Sequence, residues 1–347
     1  MGALILRPAC SPEVGIGHFM RCLALAEAWM IRGGTAHFVL SKEASGMSGL
    51  AVERGATFEI LQTSYPASSL EADMNEFRRI RAVYQDASWC ILDGYVYTSE
   101  YQQAILDVGF RILVIDDSGF PISDRVQVIL NQNIGETSER YPNVHAKLLL
   151  GTDYTLLRGE FLRRGRSSVR IIRTPPRLLV TMGGSDPVAF TEKILVALKN
   201  RDLEGLDFAI IVGRANPRIS SIRDFMQKKT SRGQLVIAPS DVSEWMEWAD
   251  IAISAAGTTV WELLYTGLPF ATVALADNQR PTAEELDRRT LAPYWGWHGD
   301  LDAMKILSLL KELVAQGSSL NTDLVRRQAQ VDGKGRDRVL DVLESIH

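Results

Sequence analysis

A chain of 347 residues is long enough for two domains of ordinary size. With 46% hydrophobic and 23% charged residues and a formal net charge of -4, it reads as a soluble globular protein. No block of lysine or arginine is on the scale of a nucleic-acid arm, which disfavours a nucleic-acid partner, and no apolar run approaches the roughly 20 residues of a membrane span.

Three cysteines, Cys10, Cys22 and Cys90, supply neither a disulfide framework nor a paired metal spacing, and Cys22 and Cys90 lie in apolar segments as small core residues. Met1 leads into a strand-like "ALIL" with no basic flank or cleavage site. The expectation is a cytoplasmic protein with reduced thiols, a monomer or weak homo-oligomer.

Short β-branched runs alternate with helical spacing from the start, the pattern of parallel sheets covered by helices. The first half predicts strands at 3–7, 36–40, 57–61, 89–93, 111–115, 126–130 and 147–150, with helices at 18–32, 70–84 and 99–107. Gly33-Gly34 stops the first helix as a carboxyl-terminal cap. The stretch "LRRGRSSVRIIRTPP", basic, serine-containing and closed by two prolines, reads as a linker. Alternation then restarts, with strands at 177–182, 207–212, 234–238, 250–254 and 269–275 and helices at 188–199, 220–229, 242–248, 258–266 and 282–289. From Leu301 on the pattern is helical, with breaks near Gly317 and Gly333.

The fold class is therefore α/β, with two doubly wound Rossmann-like domains facing each other across a cleft. The expected division is 1–165, a linker at 166–176, a second domain at 177–300, and a helical segment at 301–347 packing on the domains. A ligand belongs where the carboxyl ends of the strands meet.

The loops after the strands hold the residues able to do chemistry. In "SPEVGIGHFMRCLALAEAWMIRGG", Gly15 and Gly17 allow a tight turn and close approach to a ligand. The helix that follows offers unpaired N–H groups and a positive dipole end, suited to an anion. His18 stands at that mouth, and spacing alone leaves open whether it packs the helix or acts on a ligand. A helix amino terminus lowers an imidazole's pKa, keeping it neutral and fit to act as a base. Arg21, one turn on, faces the same anion or solvent.

In "VTMGGSDPVAF", Ser185 and Asp186 cap a helix opened by Pro187, and Gly183-Gly184 suits a backbone approach to phosphate or sugar. In "ADIAISAAGTTVWELLYTGLPF", small residues ending in Gly257 precede Thr258-Thr259 at a helix start, a pyrophosphate cradle, and Glu262 stands one turn in, where spacing alone leaves open a carboxylate that binds ribose hydroxyls or one solvated on the helix surface. Asp93 and Tyr95 in "ILDGY", Asp116 and Asp117 in "VIDDSG", and Asn278-Gln279 in "LADNQ" also follow strands. Adjacent aspartates at a strand end point apart, which favours loop capping or sugar contacts over a metal. The aromatic clusters "EWMEW" and "YWGW" read as packing, with Trp297 and His298 near the ligand side.

Taken together, "GIGHFMRCLALA", "DDSG…NQN", "LLLGTDYTLLRGEF", "MGGSDP", "SAAGTTVWELLYTGLP" and "NQ" occur in the order found in the PseG-type nucleotide-sugar hydrolases, which the chain resembles over approximately residues 4–280. That family is similar to MurG-type glycosyltransferases and has the GT-B fold. The resemblance implies hydrolysis of UDP-2,4-diacetamido-2,4,6-trideoxy-β-L-altropyranose to UDP and free sugar on the way to pseudaminic acid, with no metal or other cofactor. It implies His18 as the base that activates water, with Tyr95 and Asn278 in the sugar pocket. Gly257, Thr258, Thr259 and Glu262 then hold UDP with Gly183, Gly184 and Ser185, while Gly15, Gly17, Arg21 and Gln279 line the sugar–phosphate loops. Two stretches depart from the family pattern: its Arg-x-Asp stands here as Arg7-Pro8-Ala9, and "PYWGWHG" (293–299) has no counterpart.

The chemistry is sound on its own terms. Glycosidases use a second carboxyl group to protonate a poor leaving group. UDP departs readily as an anion, so donors aimed at its phosphates replace that acid, and one base suffices. The competing readings are a glycosyltransferase of the same fold, a UDP-sugar 2-epimerase, and a non-catalytic nucleotide-sugar binder.

Overall fold

A computed structural model describes residues 2–346 apart from 11–14, 63–65, 67–68, 120, 168, 215, 230–231 and 317–322. The chain divides into two compact units, Met1–Gly159 with Gly333–His347, and Glu160–Asp332. The stretch expected as a linker thus falls within the second unit, and the final helix returns to the first.

The first unit holds a seven-stranded parallel sheet in the order β3-β2-β1-β4-β5-β6-β7. Its strands are β1 (Ala3–Pro8), β2 (Thr35–Leu40), β3 (Thr57–Ile60), β4 (Trp89–Asp93), β5 (Arg111–Ile115), β6 (Val128–Asn131) and β7 (Lys147–Leu150). All six residues of β1 are buried, because a central strand covered on both faces needs apolar side chains in both directions. Leu4 and Leu6 join Phe38, Ile91 and Leu113 in one core, and Ala3 and Ile5 join Cys90, Ile112 and Val114 in the other. The first core is closed by the helix Gly17–Ile31 and the carboxyl-terminal helix Gly335–Ser345, which contributes Val339, Leu340 and Leu343. The second is closed by the helices Leu70–Val83 and Ser99–Val108 through Phe77, Ile80, Tyr101 and Ile105.

Contacts specific to this unit tie down the terminal helix. Trp89 Nε1 donates to the Leu343 carbonyl at 3.1 Å and Arg111 Nη1 to the Ile346 carbonyl at 2.6 Å. At its start a Cβ on Gly335 would stand 2.3 Å from the Thr155 carbonyl oxygen, so glycine lets the helix approach that turn.

The second unit holds a six-stranded parallel sheet in the order β10-β9-β8-β11-β12-β13. The strands are β8 (Leu178–Thr181), β9 (Phe208–Val212), β10 (Gly233–Ile237), β11 (Ile251–Ala255), β12 (Phe270–Ala274) and β13 (Tyr294–Trp297). The helices Phe190–Leu198 and Ala303–Ala315 cover one face with Phe190, Ile194, Leu195, Ile306 and Leu310. Strand order reverses between β1 and β4 in one sheet and between β8 and β11 in the other, so both are doubly wound.

Several local expectations are corrected. "YWGW", read as a packing cluster and given no strand, is the edge strand β13, which pairs with β12 around Thr272 and Ala274. Its glycine, Gly296 (φ 119°), and three aromatics hid the strand pattern. The helices Ser48–Glu53 and Gly159–Arg164 were too short to show a period. Beyond Leu301 the described residues form three helices, Ala303–Ala315, Leu324–Gln328 and Gly335–Ser345; Gly333 (φ 85°) marks one break, and the break placed near Gly317 lies outside the described residues.

Candidate active site

In the first unit the sheet's switch point gathers the loops after β1, β4 and β5 around the start of the helix Gly17–Ile31. Gly15 takes a left-handed φ of 83° and Gly17 is the first helical residue. Neither a side-chain cap nor an acidic residue occupies the first turn. His18 follows, 6% exposed. Its Nδ1 lies 3.0 Å from the Ala9 carbonyl oxygen. A carbonyl only accepts, so Nδ1 carries the proton and Nε2 of the neutral ring carries the lone pair. The Tyr95 ring meets the imidazole edge-on, with centroids 5.0 Å apart.

The loop after β1 is therefore a support for the histidine. Ala9 N donates to the Asp93 carbonyl at 2.6 Å while its own carbonyl receives His18. Its side chain lies where a Cβ on Gly94 would come within 2.2 Å, so only a glycine at 94 (φ 149°) admits it.

Arg21, expected at a sugar or phosphate, is turned elsewhere. Its Nε and Nη2 bind Asp93 Oδ2 and Oδ1 at 2.6 and 2.5 Å, and its Nη1 binds Asp117 Oδ2 at 2.9 Å. The physical reason is its place three residues after His18, on the buried side of the helix against the ends of β4 and β5. Burial disfavours the guanidinium charge, but the two carboxylates outweigh it and raise the pKa further. Asp117 is likewise opposed by burial, yet Arg21 and His18 hold it below the ordinary carboxylate range. Its carboxylate is also hydrogen-bonded to the Tyr95 hydroxyl, whose pKa is raised first by burial and then by Asp117. Burial lowers the His18 pKa, with Arg21 adding to the effect, against Asp93, Asp117 and the Ala9 carbonyl, which pull it up. The result is a neutral imidazole at pH 7 whose protonated form two carboxylates stabilise.

Asp116 points away from Asp117, as the alternation predicts. It accepts from the backbone of Ser118 and Gly119 at 2.9 and 2.8 Å and from the Tyr141 hydroxyl at 2.8 Å, a loop-capping role. Among the described residues no group of three or more His, Cys, Asp and Glu side chains is arranged to hold a metal ion.

In the second unit Gly257 and Thr258 lead from β11 into the helix Thr259–Thr266, with Thr258 at the cap position and no side-chain cap bond. A Cβ on Gly257 would meet nothing closer than Gln279 Nε2 at 3.8 Å. The glycine is thus not demanded by packing within the unit, and the backbone is open on that side. Gln279 Oε1 accepts from Leu275 N at 2.9 Å, which turns its amide nitrogen toward Gly257. Asn278 sits in the same short turn, Asp277–Gln279, partly buried. Glu262 is buried in the first turn of the helix.

The β8 loop differs in detail from its expectation. The helix begins at Phe190, three residues after Pro187, and the capping is done by Asp186, whose two oxygens accept from the backbone of Phe190 and Thr191 at 2.9 and 2.8 Å. The intervening turn holds Asp186 (φ 42°) and Ala189 (φ 57°) in left-handed backbone, a shape no helix-start pattern announces. Gly183 (φ 80°) needs its glycine for conformation, and the Gly184 carbonyl packs on Gly213, where a Cβ would stand 2.2 Å away. His18 and Tyr95 thus belong to the first unit, and Gly183, Gly184, Ser185, Gly257, Thr258, Thr259, Glu262, Asn278 and Gln279 to the second. Sequence reasoning found Asp93 and Asp117 but not their union through Arg21, which only strand order brings about.

Residues 177–326, all within the second unit, match the glycosyltransferase family 28 C-terminal domain. The spore coat polysaccharide biosynthesis protein SpsG of Bacillus subtilis (strain 168) is 25% identical over 240 residues, covering 68% of this chain and 70% of that protein. The uncharacterized protein MJ1062 of Methanocaldococcus jannaschii is 21% identical over 279 residues, covering 78% of this chain but only 55% of its own length. Among solved structures, Acinetobacter baumannii MurG aligns with a TM-score of 0.68 at 14% identity over 100% of both chains. The spinosyn rhamnosyltransferase SpnG, solved with thymidine diphosphate, aligns with a TM-score of 0.67 at 13% identity over 99% of this chain and 100% of its own. The chain has the two-domain GT-B glycosyltransferase fold. No helix among the described residues is long and apolar enough to cross a membrane.

Proposed function

We propose that the chain hydrolyses a UDP-linked diacetamido-trideoxy-hexose to UDP and free sugar, with inversion, as a step toward a pseudaminic-acid-type (nonulosonic) sugar. The observation that carries this reading is the bond from His18 Nδ1 to the Ala9 carbonyl, which leaves the Nε2 lone pair as a base. Nε2 takes a proton from water as its oxygen bonds to the anomeric carbon on the face opposite UDP. The C–O bond to UDP breaks, and its electron pair leaves on the diphosphate. Asp93 and Asp117 stabilise the imidazolium that forms. Gly257, Thr258 and Thr259, with Gly183, Gly184 and Ser185, hold the departing phosphates, and Glu262 the ribose. Tyr95 and Asn278 hold the sugar. The reading calls for no metal. The B. subtilis relative, a spore coat polysaccharide biosynthesis protein, supports a substrate from surface-sugar assembly.

A second reading has its own support. The family 28 match and the MurG-like fold favour transfer to an acceptor, whose hydroxyl the same base deprotonates. Incubating the pure chain with UDP-sugars and following products by NMR separates the two. UDP and free sugar without an acceptor are expected; UDP released only when an acceptor is added makes the protein a glycosyltransferase. A sugar inverted at C2 makes it an epimerase, and binding with no turnover under either condition makes it a nucleotide-sugar binder.

A further inference from the structure

We propose that Asp117 is a positioning residue for the His18 base, holding Tyr95 by its hydroxyl so that the ring lies against the imidazole, from the clamp that Arg21 and Asp93 form. This inference rests on the hydrolytic reading for the role of His18, and on the first unit alone for its geometry. Asp117 leaves the end of β5 and is nearly buried; Arg21 Nη1 binds its Oδ2 at 2.9 Å, and Tyr95 hydrogen-bonds to the same carboxylate. Arg21 is itself fixed by two bonds to Asp93, which is fully buried, so the clamp has no freedom to swing. Cys22 closes it from behind, its Sγ 3.7 Å from Asp93 Oδ2.

The arrangement carries one feature that stability does not explain. Asp117 Oδ1 is buried and has no hydrogen-bond partner among the described residues, although Arg21 and His18 keep the carboxylate ionised. A buried charged oxygen without a donor is costly, and Arg21 is already neutralised by Asp93. One cation between two carboxylates leaves a net negative charge next to His18. That charge does two things. It anchors the Tyr95 hydroxyl as a donor, and it favours the imidazolium that a base becomes. The groups facing His18 are Asp93 from β4, Tyr95 from the loop after it, Asp117 from the loop after β5, Arg21 from its own helix and the Ala9 carbonyl from the loop after β1.

Asp117→Asn tests this with little change of shape, since Arg21 keeps both bonds to Asp93 and a thermal melt checks the fold. A fall in kcat of about 10- to 100-fold is expected, with a smaller change in KM. The acid limb of kcat/KM should move to lower pH, because the lost charge had raised the His18 pKa. Asp117→Glu, which keeps the charge, should hold the limb at its wild-type position. Combined with Tyr95→Phe, the Asn variant should cost no more in kcat than the larger single loss, because both remove one linkage. Imidazole NMR of His18 needs no substrate and should show the same downward shift, which tests the positioning even if no UDP-sugar is turned over. An unmoved His18 titration overturns the proposal, as do losses that multiply or a kcat within twofold of wild type.

Discussion

His18→Gln isolates the base from the scaffold. Glutamine can still donate to the Ala9 carbonyl, which His18 Nδ1 reaches at 3.0 Å, but it cannot take up a proton near neutral pH. What folding loses is small: the edge-on contact with Tyr95 at 5.0 Å, worth about 0.5–1.5 kcal/mol. In a domain of this size that lowers Tm by roughly 1–6 °C, well inside a typical stability of about 5–15 kcal/mol. What catalysis loses is a positioned general base, about 10²- to 10⁴-fold in kcat, or about 2.7–5.4 kcal/mol of barrier. The chemical loss exceeds the structural one. UDP formation measured against pH, beside calorimetry of UDP binding, reads both. UDP affinity should hold, because His18 lies in the first unit and the residues proposed to hold UDP lie in the second, within the stretch that matches the family 28 C-terminal domain. In the wild type, burial puts the His18 pKa below its ordinary 6.5. Nε2 is therefore unprotonated at pH 7, kcat/KM is flat there, and activity is lost only as pH falls below 6.5 and the base protonates. Turnover by His18→Gln within threefold of wild type, or an acid limb above pH 6.5, refutes the assignment.

Two other perturbations separate packing from binding. Gly257→Ala places a methyl where the nearest atom is 3.8 Å away, so the melting temperature should hold or rise slightly, while calorimetry should show UDP binding weakened at least tenfold. Unaltered affinity would remove that backbone from the phosphate cradle. Leu340→Ala, in the terminal helix, removes a fully buried side chain from the first unit's core and should cost about 2–5 kcal/mol in denaturant unfolding. A loss under 1 kcal/mol would mean that the helix is not needed to close that core.

The sequence by itself determined the kind of fold and which loops hold the candidate residues. The two sheets described hold thirteen strands, and the pattern predicts twelve of them, most plainly the central β1, β4, β8 and β11, which are apolar runs because they are buried on both faces. The exception, Tyr294–Trp297, is a four-residue edge strand in which Gly296 (φ 119°) interrupts three aromatics, so no β-branched run marks it. His18, Tyr95, Asp93 and Asp117 were each legible because chemistry gathers in loops after strands. Their relation was not. Arg21 and Asp93 are 72 residues apart and Arg21 and Asp117 are 96 apart, and no periodicity reports which loops the strand order makes neighbours. Only the tertiary structure turned Arg21 from an anion contact into the clamp of two carboxylates. It also made Ala9, which in the sequence marks a missing carboxylate, the backbone acceptor that sets the tautomer of His18. Backbone carbonyls have no sequence signature, since every residue has one, and it is packing that decides which of them a histidine meets.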